Sequence, residues 1–447
     1  VNLLKFFKPA EHKPEIADKE KVNSLFKYWR LRTFAGMYMG YVFYYFTRKS
    51  YTFAMPLLMA DSSLNLSLGQ LGILGSVLSM TYGLSKFFSG VMADKSNPRY
   101  FMAFGLILTG LCNIAFGMSS SVALFTLFWG LNGWFQGWGW PPCAKLLTSW
   151  YSQKERGRWW GLSSTSHSVG GALIPIIAAI CANLWGWRYA MYMPGAMCIV
   201  VGLILIKVLR DTPQSLGLPS VERWKNEISD QKAKEDDQDL SVKEILMNYV
   251  LKNKSLWLLG VAYFFVYIIR QAINDWSLLF LMQSKGYSSI AASGGVFWFE
   301  MGGVLGALLA GWTSDRLFQG RRGPVNVLFC VGVVFALVTM LFIPSNSLIL
   351  HYIVTFIVGI MIFGPQMLIG IAAVEIAHKK AAASANGFIG WLAYLGAACA
   401  GYPIGKVIEI WGWGGFFTIL SCCGVLAVLL LSPFWKKQKV AQEVVTT

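Results

Sequence analysis

Charge is scarce in this 447-residue chain, and acid is scarcest: charged residues make up 13%, with 22 Asp and Glu against 38 Lys and Arg. Residues 100–144, 323–374 and 410–435 contain no Asp, Glu, Lys or Arg at all. A bilayer-spanning helix needs about 20 such residues, so a water-soluble protein of two or three domains is excluded. C-x-x-C pairs are absent. The eight cysteines (112, 143, 181, 198, 330, 399, 422 and 423) sit within apolar segments and read as small buried thiols in a reduced state. The four histidines are too scattered to hold a metal, so neither metal nor cofactor is expected. No nucleophile, metal-ligand set or carboxylate pair converges, which excludes an enzyme such as a phosphatase. A cleavable leader is not expected either: the start is polar (EHKPEIADKEK) and the first apolar run is too long for one.

What is present is apolar: 55% of residues are hydrophobic and 15% aromatic. The net charge of +16 lies in short loops and at the ends rather than along a stripe. The lipid bilayer is therefore the expected partner and nucleic acid is not. The fold class read from this pattern is all-α, a polytopic membrane protein. Twelve spans fall near 34–57, 68–92, 100–119, 121–147, 158–184, 187–209, 255–282, 289–314, 324–344, 347–376, 380–408 and 412–435. Four loops on one side hold ten Lys and Arg (Lys95, Arg99, Lys154, Arg156, Arg158, Arg316, Arg321, Arg322, Lys379 and Lys380). The other side holds three, Arg188, Lys285 and Lys406. The ten face the cytoplasm by the positive-inside rule, and so do both termini. Residues 1–33 form a cytoplasmic segment, 34–210 a six-helix bundle, 211–254 a polar linker, 255–435 a second bundle and 436–447 a tail.

The bundles are related. Tyr41, Tyr45 and Arg48 in the first span are matched by Tyr263, Tyr267 and Arg270, all three at one constant offset along the chain. A spacing of i, i+4, i+7 places all three on one helix face. Gly90-x-x-x-Asp94-Lys95 closes the second span and Gly311-x-x-x-Asp315-Arg316 the eighth, at an offset shorter by only one position. Two motifs at nearly one offset indicate a duplicated half. Six spans per half keep the repeats parallel, a transporter design in which substrate binds between the halves.

An arginine at membrane depth costs about 2.5–3.5 kcal/mol on insertion scales, so Arg48 and Arg270 are candidate ligands. Their guanidinium forks match phosphate oxygens bidentately. Held about 10 Å apart and empty, they would repel by about 1.7 kcal/mol at an effective dielectric of about 20. A bound dianion reverses that sign, which favours exchange over net movement. Lys86, one turn after Tyr82, is a further candidate anion ligand. His167 lies in SSTSHSVGGALIP among Ser163, Ser164, Thr165, Ser166 and Ser168, a polar patch fit for binding or proton-linked work. Lys49 points about 100° from Arg48 and reads as a field-shaping charge. Asp275 and Glu300 are candidate charge partners for Arg270, Lys86 or Lys49. Asp94, Lys95, Arg99, Asp315 and Arg316 form candidate cytoplasmic gate clusters.

The strings YYFTRKSY, GLSKFFSGVMADKSNPRYF, GWFQGWGWPPCAKLLTSWYSQKERG, RDTPQSLGLP, YIIRQAINDWS and IFGPQMLIG, from about Trp29 to Trp435, carry a likeness. The chain resembles the organophosphate:phosphate antiporters of the major facilitator superfamily, and FYYFTRKS, RQAINDW and ALIPI look closest to the hexose-6-phosphate transporter and sensor branch. The resemblance implies twelve helices in two pseudo-symmetric bundles, a monomer in the bacterial inner membrane, and import of a sugar phosphate such as glucose 6-phosphate in exchange for inorganic phosphate. It implies Arg48 and Arg270 as the phosphate pair, with Lys86, His167, Tyr41, Tyr45, Tyr267 and Tyr394 along the cavity. A receptor sensing hexose phosphate and a glycerol-3-phosphate antiporter are the alternatives. One departure concerns the sugar: family members commonly show W-N-x-x-H-N, where this chain has Ser163-Ser164-Thr165-Ser166-His167-Ser168.

Overall fold

The computed structural model describes residues 8–94, 96–225, 247, 250–377 and 382–436, and among these there are helices and no strands. Helix starts are written locally. Asn97 caps α3 (Pro98–Met118) by accepting from Arg99 N, and Ser121 caps α4 (Val122–Gln136) by accepting from Leu124 N. Asn253 and Ser288 do the same for the helices that follow them. Such caps satisfy amides that the helix itself leaves unpaired.

The chain divides into two compact units, Val1–Ala54 with Thr81–Asp237, and Met55–Met80 with Gln238–Thr447. Two long helices run through both: α1 (Lys19–Ala60) and α2 (Leu68–Asp94). In the first unit, α3 lies along α7 (Tyr189–Val208), and α5 (Trp140–Trp150) and α6 (Gln153–Trp185) complete the helical set. Trp129, Trp150, Phe101, Phe116 and Phe125 fill its interior. Residues 10–16 run against the segment after α7: Ala10 N donates to Asp211 Oδ2 at 2.8 Å and Ile16 N to Gly217 O at 2.9 Å. A single turn at Val221–Trp224 stacks Trp224 on Phe26 at 4.4 Å, and Glu155 pairs with Arg30 at 2.5 Å and Lys225 at 3.1 Å.

The second unit holds α8 (Lys254–Gln283), α9 (Ser289–Arg316), α10 (Arg322–Phe342), α11 (Leu348–Ile376), α12 (Ala382–Cys399) and α13 (Tyr402–Leu431). Trp276, Phe280, Phe299 and Phe416 are its largest fully buried side chains. Phe335 and Phe342 stand bare on α10, an apolar exterior that a bilayer would cover.

Eight helical stretches among the described residues are long and apolar enough to cross a membrane. The expected span boundaries need two corrections. The span read as 121–147 is two helices, because Gly137 to Gly139 interrupt it and Pro141 opens α5; proline suits a helix's first turn and not its interior. The span read as 380–408 breaks at Ala400 and Gly401. Beyond that break, helix runs on through 408, and the chain turns at Gly412, whose φ of 64° is left-handed. The break is held from outside. Ser76 Oγ of α2 donates to Ala398 O at 2.5 Å and accepts from Tyr402 N at 2.8 Å, and Trp276 Nε1 donates to Ala400 O at 2.9 Å.

Candidate functional site

In the first unit, α1 presents Tyr41, Tyr45 and Arg48 as the spacing requires. The Arg48 guanidinium lies over the Tyr45 ring at 4.9 Å and the Tyr82 ring of α2 at 3.9 Å, and its Nη1 donates to Tyr45 OH at 3.2 Å. Aromatic faces hold a guanidinium without neutralising it, at about 0.5–2 kcal/mol each. Tyr45 neighbours the His167 ring at 5.8 Å, and Tyr41 meets Trp140 at 5.1 Å. Lys49 is buried, its Nζ 5.9 Å from the Tyr45 centroid, whereas Lys86 is exposed one turn after Tyr82.

The backbone beneath Arg48 is pinned by α4. Asn132 Nδ2 donates to Thr47 O at 2.9 Å, and Gln136 Nε2 to Tyr44 O and Thr47 Oγ1, each at 3.0 Å. All four residues are buried, where a hydrogen bond has no competing water. Ser50 and Asn113 add a further tie between α1 and α3 at 3.0 Å.

The second unit repeats the plan. The Arg270 guanidinium lies over the Tyr267 ring at 5.8 Å and the Phe363 ring of α11 at 4.9 Å. Tyr263 and Tyr267 meet edge to face at 4.8 Å, and Tyr394 of α12 lies 5.7 Å from Tyr267. Tyr263 OH donates to Gln366 O at 2.8 Å. The Asp275 carboxylate accepts from Gln271 Nε2 and Asn274 Nδ2, each at 2.9 Å, and Glu300 is fully buried on α9.

One close approach shows how deep the duplication runs. A Cβ on Gly170 of α6 would strike Val42 O of α1, and a Cβ on Gly396 of α12 would strike Phe264 O of α8. Val42 and Phe264 stand at the same offset as the two arginines. The two glycines let α6 approach α1, and α12 approach α8, backbone to backbone, which seats His167 and Tyr394 beside their tyrosines.

The gate clusters divide. Lys95 and the side chain of Asp94 lie outside the described residues. Arg99 Nε donates to Ile206 O and its guanidinium lies 5.0 Å from the Tyr100 ring. Asp315 is met by Arg322 at 2.6 Å rather than by Arg316, which is exposed one residue on. Arg322 also reaches Glu375 at 3.1 Å and Ser314 Oγ at 3.0 Å. Glu375, Tyr82 as a cradle ring, Phe363 and Trp140 were not singled out by sequence; each acts across helices, where periodicity along one helix is silent.

The arrangement can grip an anion with several oxygens. Residues 37–401 match the Major Facilitator Superfamily. The chain is 55% identical over 441 residues to a protein of Chlamydia pneumoniae named "Probable hexose phosphate transport protein", covering 96% of each. It is 46% identical to the membrane sensor protein UhpC of Escherichia coli (strain K12), covering 98% of this chain and 99% of that one. In fold it is similar to a bacterial homolog of the human lysosomal transporter Spinster, crystallised inward-facing and unoccupied. The TM-score is 0.73 at 17% identity, over 91% of this chain and 96% of that one.

Proposed function

The chain belongs to the Major Facilitator Superfamily, and on that premise we propose that it is a secondary antiporter exchanging a hexose phosphate, such as glucose 6-phosphate, for inorganic phosphate. Arg48 and Arg270 are the phosphate ligands in this reading. The observation that carries it is the repeated arginine set: a guanidinium over a tyrosine three residues earlier, at 4.9 Å in one repeat and 5.8 Å in the other. A phosphate ester carries close to two charges, and two guanidiniums answer it with forked donors. Lys86, His167, Tyr41, Tyr45, Tyr267 and Tyr394 complete the binding set, with Lys49, Asp275 and Glu300 balancing charge. The repeats are bundles 34–210 and 255–435, in a monomer of the bacterial inner membrane with both termini cytoplasmic. No chemistry is performed on the ester.

Two like charges oppose reorientation of an empty carrier, and an anion on either side relieves them. Exchange should therefore far outpace net movement. Purified protein in liposomes loaded with inorganic phosphate should take up labelled glucose 6-phosphate, and liposomes without a counter-anion should not. Equal uptake in both would overturn the exchange mechanism. The 46% identity to a membrane sensor supports one second reading, a hexose-phosphate receptor; binding of the ester with no exchange would select it. Competition among glucose 6-phosphate, glycerol 3-phosphate and phosphoglycerate ranks the substrates.

A further inference from the structure

We propose that Tyr38, Ser164 and Thr165 form a rim of hydrogen-bond acceptors that reads hydroxyl protons on the sugar body of the substrate; this rests on the hexose-phosphate reading above. Tyr38 precedes Tyr41, Tyr45 and Arg48 by three, seven and ten residues, which places it on the same face of α1. All three rim residues are half-buried.

The polarity of the rim follows from counting protons. A hydroxyl has one proton to give and lone pairs to receive with. Thr165 donates to Leu162 O at 2.8 Å, so in its 3.0 Å contact with Tyr38 the phenol is the donor. Ser164 donates to Trp160 O at 3.0 Å. Each proton is thus committed, and what remains is lone pairs. Deeper on α6, Ser166 donates to Ser163 O at 2.5 Å inside the buried core. Ser164, Thr165 and Ser166 thus give their protons to their own helix, and Tyr38 and Thr165 join that helix to α1.

An acceptor-only surface suits a polyol, whose hydroxyls donate. It disfavours a carboxylate or a second phosphate, which bring further lone pairs and no proton. Ten residues of helix put Tyr38 about 15 Å along the axis from Arg48. With its phosphate on Arg48, a hexose ester lays its far hydroxyls toward that end. The second repeat has no counterpart to this rim. In the register that aligns Arg270 with Arg48, the place of Tyr38 is taken by Gly260, set against Leu392. In the register that aligns Gly396 with Gly170, Gly390 and Trp391 stand for Ser164 and Thr165. The repeats share the grip on phosphate, and the first alone reads the sugar.

The test is displacement of labelled inorganic phosphate from the purified full chain by glucose 6-phosphate, phosphoglycerate and unlabelled phosphate. Tyr38→Phe should raise the half-saturation of glucose 6-phosphate, relative to that of phosphate, about tenfold. Thr165→Val leaves Tyr38 free to donate, so phosphoglycerate should improve against inorganic phosphate by about tenfold. Tyr38→Phe should bring no such gain. If the wild type takes glucose 6-phosphate and both ratios stay within about twofold in the variants, the rim is not a reader. A wild type that binds phosphate and none of the esters removes the hexose-phosphate reading, and this inference with it.

Discussion

The two repeats keep one thing constant and let its supports change. Arginine over tyrosine recurs at Arg48–Tyr45 and Arg270–Tyr267. The second ring differs in origin. In the first repeat it is Tyr82 of α2. In the register that aligns Asp315 with Asp94, its place falls to Gly303, and Phe363 from α11 occupies the room. A Cβ on Gly303 would sit 2.8 Å from the Phe363 ring, so the missing side chain is what admits the phenylalanine. The ties between helices reverse as well: amides of α4 donate to α1, whereas Tyr263 of α8 donates to α11. Duplication has conserved the position of the charge, and each half has found its own way to hold it.

The sharpest way to break the comparison is to remove a fork and keep its charge. Arg48→Lys and Arg270→Lys should each lower labelled phosphate exchange by about 100-fold or more, since an ammonium cannot make the bidentate contact. Near wild-type exchange in either variant would remove that arginine from the site. Next comes Gly303→Ala, which must displace Phe363. We expect exchange to fall about tenfold, with a smaller loss for Tyr82→Leu and Phe363→Leu, about threefold each, matching one cation–π contact. Unequal losses in that last pair would show that the two rings are not equivalent. Gln136→Ala strips two hydrogen bonds from α1, one at the Tyr44 carbonyl and one at the Thr47 hydroxyl, and should cost about 1–3 kcal/mol in stability, read as a lower melting temperature in detergent. No ring substitution should match that shift.

The smallest effects are in pH, outside the spans. Burial raises the Asp211 carboxyl above its ordinary 3.8, outweighing the Ala10 amide and the Lys145 and His12 charges. The folded state then holds that proton more tightly, so this group adds stability as pH falls from its raised value toward 3.8. Glu155 is opposite. Burial alone would raise it, but hydrogen bonds from Arg30 and Lys225 prevail and lower it from 4.5. Its contribution is complete above pH 4.5 and fades as pH drops through the lowered value. Asp211→Asn should thus gain on the wild type as pH rises from 4 to 7, and Glu155→Gln should lose on it over the same range, both followed by thermal melting.

Much of the arginine set was legible because it is written along single helices. Tyr41, Tyr45 and Arg48 need only the helical period to fall on one face, and their copies at Tyr263, Tyr267 and Arg270 need only an offset. Helix breaks were harder. Hydropathy is averaged over a window as long as a membrane span, so the apolar stretch through Gly137-Trp138-Gly139 reads as continuous although the backbone is not. The Pro141 and Pro403 that follow the two breaks were the available signals. Asp315 and Arg316 were grouped in one gate cluster with no partner fixed for either. In the folded chain Arg322, at the start of α10, reaches back to the end of α9 and across to Glu375, a geometry no linear spacing encodes.

The interruption at Ala400–Gly401 has a mechanical meaning. Where an ordinary helix would carry strain through its own ladder of amides, here the load passes through a borrowed hydroxyl, Ser76, bonded on both sides of the gap. That hydroxyl works as a splice. Cut it, with Ser76→Ala, and α12 and α13 should begin to open independently, so that amide exchange at Tyr402 quickens while the middle of α12 stays protected.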